Sequence, residues 1–201
     1  NASALAFIDW CCSEFKPTSH DCFASHAPLH FDLSIFDLYV AIRCGARIRL
    51  INASEARQPR RLSQLIATDA VTVWYSTPTV LRAMLEFGNL TDHDHSSLRL
   101  VCFAGEVFPT RHLRALGSAW SRPTYVNLYG PTETNVCSFY RVKEPRHLPD
   151  DEKLAIGYAC AGNQLRILCA DGQQALPGEE GEVLVSGASV MRGYWGPLGY
   201  E

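Results

Sequence analysis

From Ala2 to about residue 135 the chain alternates short apolar or β-branched runs with amphipathic segments of about ten residues. That alternation restricts it to an α/β fold, a parallel sheet layer with covering helices. Ala2–Phe15 carries Leu5, Ile8, Cys12 and Phe15 at helical spacing and is stopped by Lys16-Pro17. Cys22–Ser25 is a short apolar run. Leu33–Arg43 repeats the helical pattern through Ile35, Phe36, Leu38, Tyr39 and Ile42, and Gly45 ends it. Arg47–Ile51 alternates as a strand, Pro59–Thr68 reads as a helix, and Val71–Tyr75 as a strand. Thr77-Pro78 opens a further helix through Leu85, with proline in its first turn. Leu98–Ala104 is a buried strand, Pro109–Leu116 a helix and Thr124–Tyr129 a strand.

Beyond residue 135 the pattern changes. Nine of the fourteen glycines lie in this last third, and no helical period appears. Val136–Val142, Gln164–Cys169 and Glu182–Ser186 read as strands, with turns at Asp171-Gly172 and Pro177-Gly178. The expectation is an α/β portion over 1–135 and a small β-rich subdomain over 136–201, joined through Arg141–Lys153.

Composition removes several functions. Acidic residues outnumber basic ones by 21 to 18, against nucleic acid as the partner. The one basic cluster, Arg57, Arg60 and Arg61, reads as a solvated helix face. No apolar run reaches the roughly 18 residues of a membrane span. The eight cysteines contain no C-x-x-C pair and sit mostly among apolar neighbours, which reads as buried thiols in a reducing cytoplasm.

Four segments hold residues suited to chemistry. Asn127-Leu-Tyr-Gly-Pro-Thr-Glu-Thr134 ends a strand in a forced turn, where ligands of open parallel sheets bind. Tyr129 offers a flat face for a base, Thr132 a hydroxyl for a phosphate oxygen, and Glu133 a hard oxygen ligand for Mg²⁺. A Gly130-Pro131 turn with a capping threonine and a solvated glutamate accounts for the same residues. In His30-Phe-Asp32-Leu-Ser34, Asp32 is either a helix N-cap or a carboxylate held beside Phe31, Leu33 and Phe36 to pair a substrate ammonium. With His26 and His30 a metal site is conceivable, but no ligand spacing supports it. Val101-Cys-Phe-Ala-Gly-Glu106 would let backbone approach a planar ligand at Gly105. Gly178–Gly187 with Val190–Tyr194 reads as a hairpin serving the fold, and His93-Asp94-His95 as a solvated loop.

Taken in order, Phe31-Asp-x-Ser34, Ala104-Gly-Glu106, Asn127-x-Tyr-Gly-Pro-Thr-Glu133, Gly181-Glu-x-x-x-x-Gly187 and Arg192-Gly-Tyr194 resemble the core motifs of adenylate-forming enzymes. The likeness is to the amino-acid adenylation domains of nonribosomal peptide synthetases. The resemblance implies part of their large N-terminal domain and a two-step reaction. ATP and an amino acid give an aminoacyl adenylate and pyrophosphate; the acyl group then passes to the phosphopantetheine thiol of a carrier protein. It implies Asp32 as partner of the α-ammonium, Asn127 and Tyr129 as adenine contacts, and Gly105, Glu106 and Gly130 as backbone beside that site. It further implies Thr132 at the α-phosphate and Glu133 as Mg²⁺ ligand. By the same match Leu33, Phe36, Tyr75, Cys102, Ala104, Leu128, Val136 and Cys137 line the side-chain pocket. None of them is ionised by default at neutral pH, so an uncharged, small to medium apolar amino acid is expected.

The same resemblance places a phosphate loop with its lysine ahead of Ala2, and a ribose-binding aspartate, an arginine and a small domain with a catalytic lysine after Glu201. The expectation is that the 201-residue chain alone has no useful adenylation activity, and that a condensation domain adjoins it in its parent. Two rivals remain at this point: an acyl- or aryl-CoA synthetase of the same superfamily, and a non-catalytic remnant kept for docking.

Overall fold

The computed structural model describes residues 2–196 together with 199–200. Seven strands form one sheet in the order β2-β1-β3-β4-β5-β6-β7. The first five are β1 (Cys22–Ser25), β2 (Arg47–Leu50), β3 (Val73–Ser76), β4 (Leu100–Phe103) and β5 (Thr124–Tyr129), all parallel. β3 and β4 are buried along their whole length, as parallel strands covered on both faces must be.

Side chains alternate faces along each strand. On β4, Val101 and Phe103 join the core under helices α3 (Pro59–Thr68), α4 (Pro78–Phe87) and α5 (Thr110–Ala119). Leu100 and Cys102 point the other way, into the core under α1 (Ala2–Phe15). The crossover after β1 is a helical stretch over 34–44 whose middle, Phe36–Val40, is π-helical and whose last turn is α2 (Ala41–Cys44). Gly45 closes it at φ +70°, in the left-handed region where glycine costs least. This crossover buries Phe36, Val40 and Ala41 on the α1 side, whereas α3, α4 and α5 cover the opposite face. The chain therefore switches faces between β1 and β3, and such a switch opens a crevice at the strands' carboxyl ends.

The sheet does not stop at residue 135. β6 (Ser138–Val142) pairs antiparallel with β5, and β7 (Tyr158–Ala159) antiparallel with β6. The boundary expected at 135/136 thus falls inside the sheet, because the β5–β6 return folds straight back onto the β5 edge. The separate β-ribbon begins later: β8 (Asn163–Leu168) pairs antiparallel with β9 (Glu182–Gly187). A further short ribbon joins β10 (Trp195–Gly196) to β11 (Gly199–Tyr200).

His95 also departs from expectation. It is 8% exposed, its Nε2 lies 3.2 Å from Ser63 Oγ, and its ring packs against Trp120. The polar loop around it tucks one ring beneath α3.

Candidate active site at the carboxyl ends of the parallel strands

Because β1, β3, β4 and β5 run the same way, the loops that follow them leave from one edge. At or just beyond that edge lie Asp32, Thr77 and Thr79, Gly105 and Glu106, and Tyr129 through Glu133. A cleft of about 380 Å³ opens there. Gly105, Glu106, Asn127, Tyr129 and Gly130 line it, with Leu154 and Ile156 as the far wall. Tyr129 is 40% exposed and lines this space. Asn127 Nδ2 donates to Ala155 O at 2.9 Å, tying β5 to the far wall.

The two glycines serve different needs. Gly130 sits where a Cβ would lie 1.8 Å from Asn135 O, so the 130–137 loop closes only around a residue without a side chain. Cys137 N donates to Tyr129 O at 2.8 Å across that closure. Gly105 has only the Thr77 methyl near a would-be Cβ, at 3.8 Å; what it requires is its φ of +88°. Glu106 aims its carboxylate at the N-terminus of α4, accepting from Thr79 N at 3.1 Å and Thr79 Oγ1 at 2.5 Å. Its backbone therefore lines the cleft while its charge caps a helix.

Thr132 is exposed at the tip of the loop. Glu133 accepts a hydrogen bond from Tyr194 Oη, and Met191 N donates to Glu133 O at 2.8 Å. The Tyr194 hydroxyl holds the Glu133 carboxyl below its usual range. The Arg192-Gly-Tyr194 segment, read from sequence as part of a folding hairpin, thus clasps this loop.

The side-chain pocket positions gather on the α1 face of the sheet. Tyr75 on β3 is paired in register with Cys102 on β4, and Cys102 with Val126 on β5. Phe36 packs edge-on to Tyr75, ring centroids 5.4 Å apart. Ala104, Leu128 and Val136 belong to the same core cluster, and Leu33 packs against it. Cys137 is fully buried in the loop just beyond Val136. Burial pushes the Tyr75 phenol well up, and Cys102, Asp37 and Asp32 near it push in the same direction.

Asp32 is half-buried in the turn opening the helical stretch. Its carbonyl accepts from Ile35 N at 3.0 Å, but among the described residues its carboxylate has no hydrogen-bond partner. The side-chain N-cap expected as one alternative is not formed, which leaves the carboxylate free for a ligand.

Asp37 was not anticipated. It is 1% exposed, and burial pushes its carboxyl well above the usual range. The sequence does hold a signal for it. Phe36, Val40 and Ala41 mark the inward face of this helix, and Asp37 lies within that stripe. No group of acidic, histidine or cysteine side chains suited to holding a metal occurs among the described residues, His26 and His30 included.

Residues 1–195 match the family of AMP-binding enzymes. The chain belongs to that family. A relative of this AMP-binding segment, the L-proline–[L-prolyl-carrier protein] ligase of Pseudomonas fluorescens, is 43% identical over 198 residues, 97% of this chain and 39% of the relative. The enzyme of the same name from Streptomyces coelicolor is 41% identical, covering 96% of this chain and 36% of the relative. Among solved structures, the Vibrio cholerae adenylation domain AlmE in complex with glycyl-adenosine-5'-phosphate superposes with a TM-score of 0.86 at 27% identity, over 99% of this chain and 38% of that one. The AMP-binding chain spans about two fifths of the length of these relatives. No helix among its described residues is long and apolar enough to cross a membrane.

Proposed function

We propose that this chain is the substrate-binding portion of an enzyme that activates L-proline as its adenylate and passes it to a carrier protein. The observation that carries this reading is Asp32. It is a half-buried carboxylate without a hydrogen-bond partner among the described residues, next to uncharged residues clustered around Tyr75 and Cys102. One carboxylate matches one ammonium, and the apolar wall matches a ring of methylenes. Identity to two prolyl ligases supports proline over other apolar amino acids.

In this reading the Tyr129 face takes the adenine, with the Gly105–Glu106 backbone along its edge. The substrate carboxylate oxygen attacks the α-phosphorus of ATP, that P–O bond forms, and pyrophosphate leaves. Thr132 Oγ1 donates to an α-phosphate oxygen as charge builds there. Glu133, a part-exposed carboxylate in the loop after β5, would be the residue to hold a magnesium ion. Such an ion supplies neutralisation of the phosphate charge. The phosphopantetheine thiol of the carrier then attacks the acyl carbon, and AMP departs. Positioning and electrostatics suffice, since no group of the protein is modified on the way.

ATP–pyrophosphate exchange by the full-length parent, run with a panel of amino acids, tests the reading. Proline should exceed glycine, valine, aspartate and lysine; a preference for a charged amino acid would reject it. Asp32→Ala should lower kcat/KM at least about a hundredfold, from about 3 kcal/mol of unpaired ammonium. Indifference to that change would favour an acyl-CoA synthetase.

A further inference from the structure

Gly105, Glu106 and Val107 line the cleft beside Tyr129 and stand exposed between the end of β4 and the start of α5. Among the described residues their backbone groups make no hydrogen bond to other backbone. Gly105, at φ +88°, adds no side chain that could pack the segment down. Packing fixes only the two ends. Ala104 is 6% exposed, and Phe108, 3% exposed, meets Phe103 edge-on with ring centroids 5.0 Å apart. Between those anchors, the hydrogen-bonded tether among the described residues is the Glu106 carboxylate, whose Oε2 accepts from Thr79 N at 3.1 Å and from Thr79 Oγ1 at 2.5 Å.

The far end of that tether is rigid. Thr79 stands in the first turn of α4, a helix seated in the core by Pro78, Leu81 and Met84. The residue before the helix, Thr77, forms no side-chain cap, so Glu106 supplies from 27 residues away the acceptor that a local cap would have offered. Both Glu106 and Thr79 are exposed, and a hydrogen bond between water-accessible groups adds little to folding stability. Placement is another matter. A lining segment with no backbone bonds of its own drifts once the tether is cut, and a displacement of about 1 Å costs a binding site far more than it costs the fold.

We propose that Glu106 is a positioning residue of the nucleotide cleft: its carboxylate, bonded to Thr79 N and Oγ1, holds the Gly105–Val107 backbone against the start of α4 and so sets the edge along which the adenine nucleotide lies. The proposal rests on the nucleotide reading given above. It assigns the Glu106 side chain no contact with the nucleotide.

The test uses the full-length parent and reads AMP affinity by calorimetry, the ATP and amino-acid KM in pyrophosphate exchange, and Tm. Glu106→Ala should weaken AMP binding and raise the ATP KM about tenfold, with the amino-acid KM within about twofold and Tm within about 2 °C of the parent. Glu106→Gln keeps an acceptor at the same reach and should bring AMP affinity back to within about threefold. Thr79→Val removes Oγ1 and should weaken AMP binding about threefold. Added to Glu106→Ala it should have no further effect, because the carboxylate acts through Thr79. Unchanged AMP affinity in Glu106→Ala overturns the proposal, and so does a fall in Tm with affinity intact, which would make the tether structural only. A Glu106→Gln variant as weak as Glu106→Ala also overturns it. So does a Thr79→Val effect that adds in full to Glu106→Ala, which would place the carboxylate on the nucleotide itself. Should Glu106→Ala not fold, Thr79→Val compared with Thr79→Ser, which keeps the hydroxyl, decides: only the valine should weaken AMP. An unsubstituted parent that binds no AMP would overturn the nucleotide reading, and that failure is seen before any substitution is made.

Discussion

The amino-terminal edge of the sheet depends on one carboxylate. Asp21 is 4% exposed and accepts from Thr18 N at 2.8 Å, Thr72 Oγ1 at 2.7 Å, and Arg99 Nε and Nη2 at 2.7 and 2.8 Å. It thereby links the start of β1 to the segments entering β3 and β4. Burial alone would raise its carboxyl; the Arg99 guanidinium, the Thr18 amide and the Thr72 hydroxyl outweigh burial and hold it at about 2, against an ordinary 3.8. That depression is worth about 2 kcal/mol. Since the folded value lies below the unfolded one, this stability is fully present above about pH 4 and is lost as pH falls through about 2. Asp21→Asn leaves Arg99 without its counter-charge. Arg99 is 40% exposed and water takes up part of the loss, so the expected cost is about 2–3 kcal/mol rather than the 3–5 of a fully buried pair. Urea titration should show that loss at neutral pH, with a fall in Tm of about 4–10 °C. The variant should also lose less stability than the parent between about pH 5 and 2. A neutral-pH change under about 0.5 kcal/mol, or an acid profile parallel to the parent's, would refute the assignment.

Three further outcomes follow from the nucleotide side of the site. Tyr129→Ala should weaken AMP binding to the full-length parent about 5- to 150-fold, the loss of one base–aromatic stack, read by calorimetry; unchanged affinity would remove Tyr129 from the adenine site. Gly130→Ala forces a methyl to within 1.8 Å of Asn135 O, so the loop must open, and AMP affinity should fall about tenfold or more while α-helical circular dichroism stays unchanged. Tyr194→Phe removes the hydrogen bond to Glu133 and should raise the magnesium concentration for half-maximal exchange about threefold without lowering Tm. An unaltered magnesium dependence would make the clasp structural only.

Helices α1 and α3 and strand β5 occupy the residues that periodicity and punctuation assign to them, Ala2–Phe15, Pro59–Thr68 and Thr124–Tyr129. Each has a regular apolar period and a hard stop, Lys16-Pro17 in the first case. The two-residue β7 has neither, and its place in the sheet depends on pairing with β6, a tertiary event that local pattern does not encode. The 135/136 boundary falls inside the sheet for a related reason. A rise in glycine marks a change from helices to turns, whereas sheet membership is set by which edge remains unpaired. Tyr129 and Gly130 were legible because a strand end followed by Gly-Pro fixes where side chains emerge. The register that sets Tyr75 beside Cys102, and the π-helical turn that faces Asp37 inward, are long-range and conformational facts absent from any short window.

Charge accounting at the proposed amino-acid pocket separates the two enzymatic readings. Asp32 sits next to an apolar cluster with no hydrogen-bond partner among the described residues, and a carboxylate in that setting carries a desolvation cost. A substrate ammonium removes that cost on binding and gains a charge-assisted hydrogen bond. A fatty or aryl acid offers no cation there, so its entry would desolvate Asp32 further and leave it unpaired. Were the nearby Asp37 also ionised, a single ammonium would meet two anions and the pocket would favour a dication such as a diamino acid. With Asp37 buried and facing no cation among the described residues, the neutral form is the less costly one, and the remaining charge is the one an α-ammonium needs.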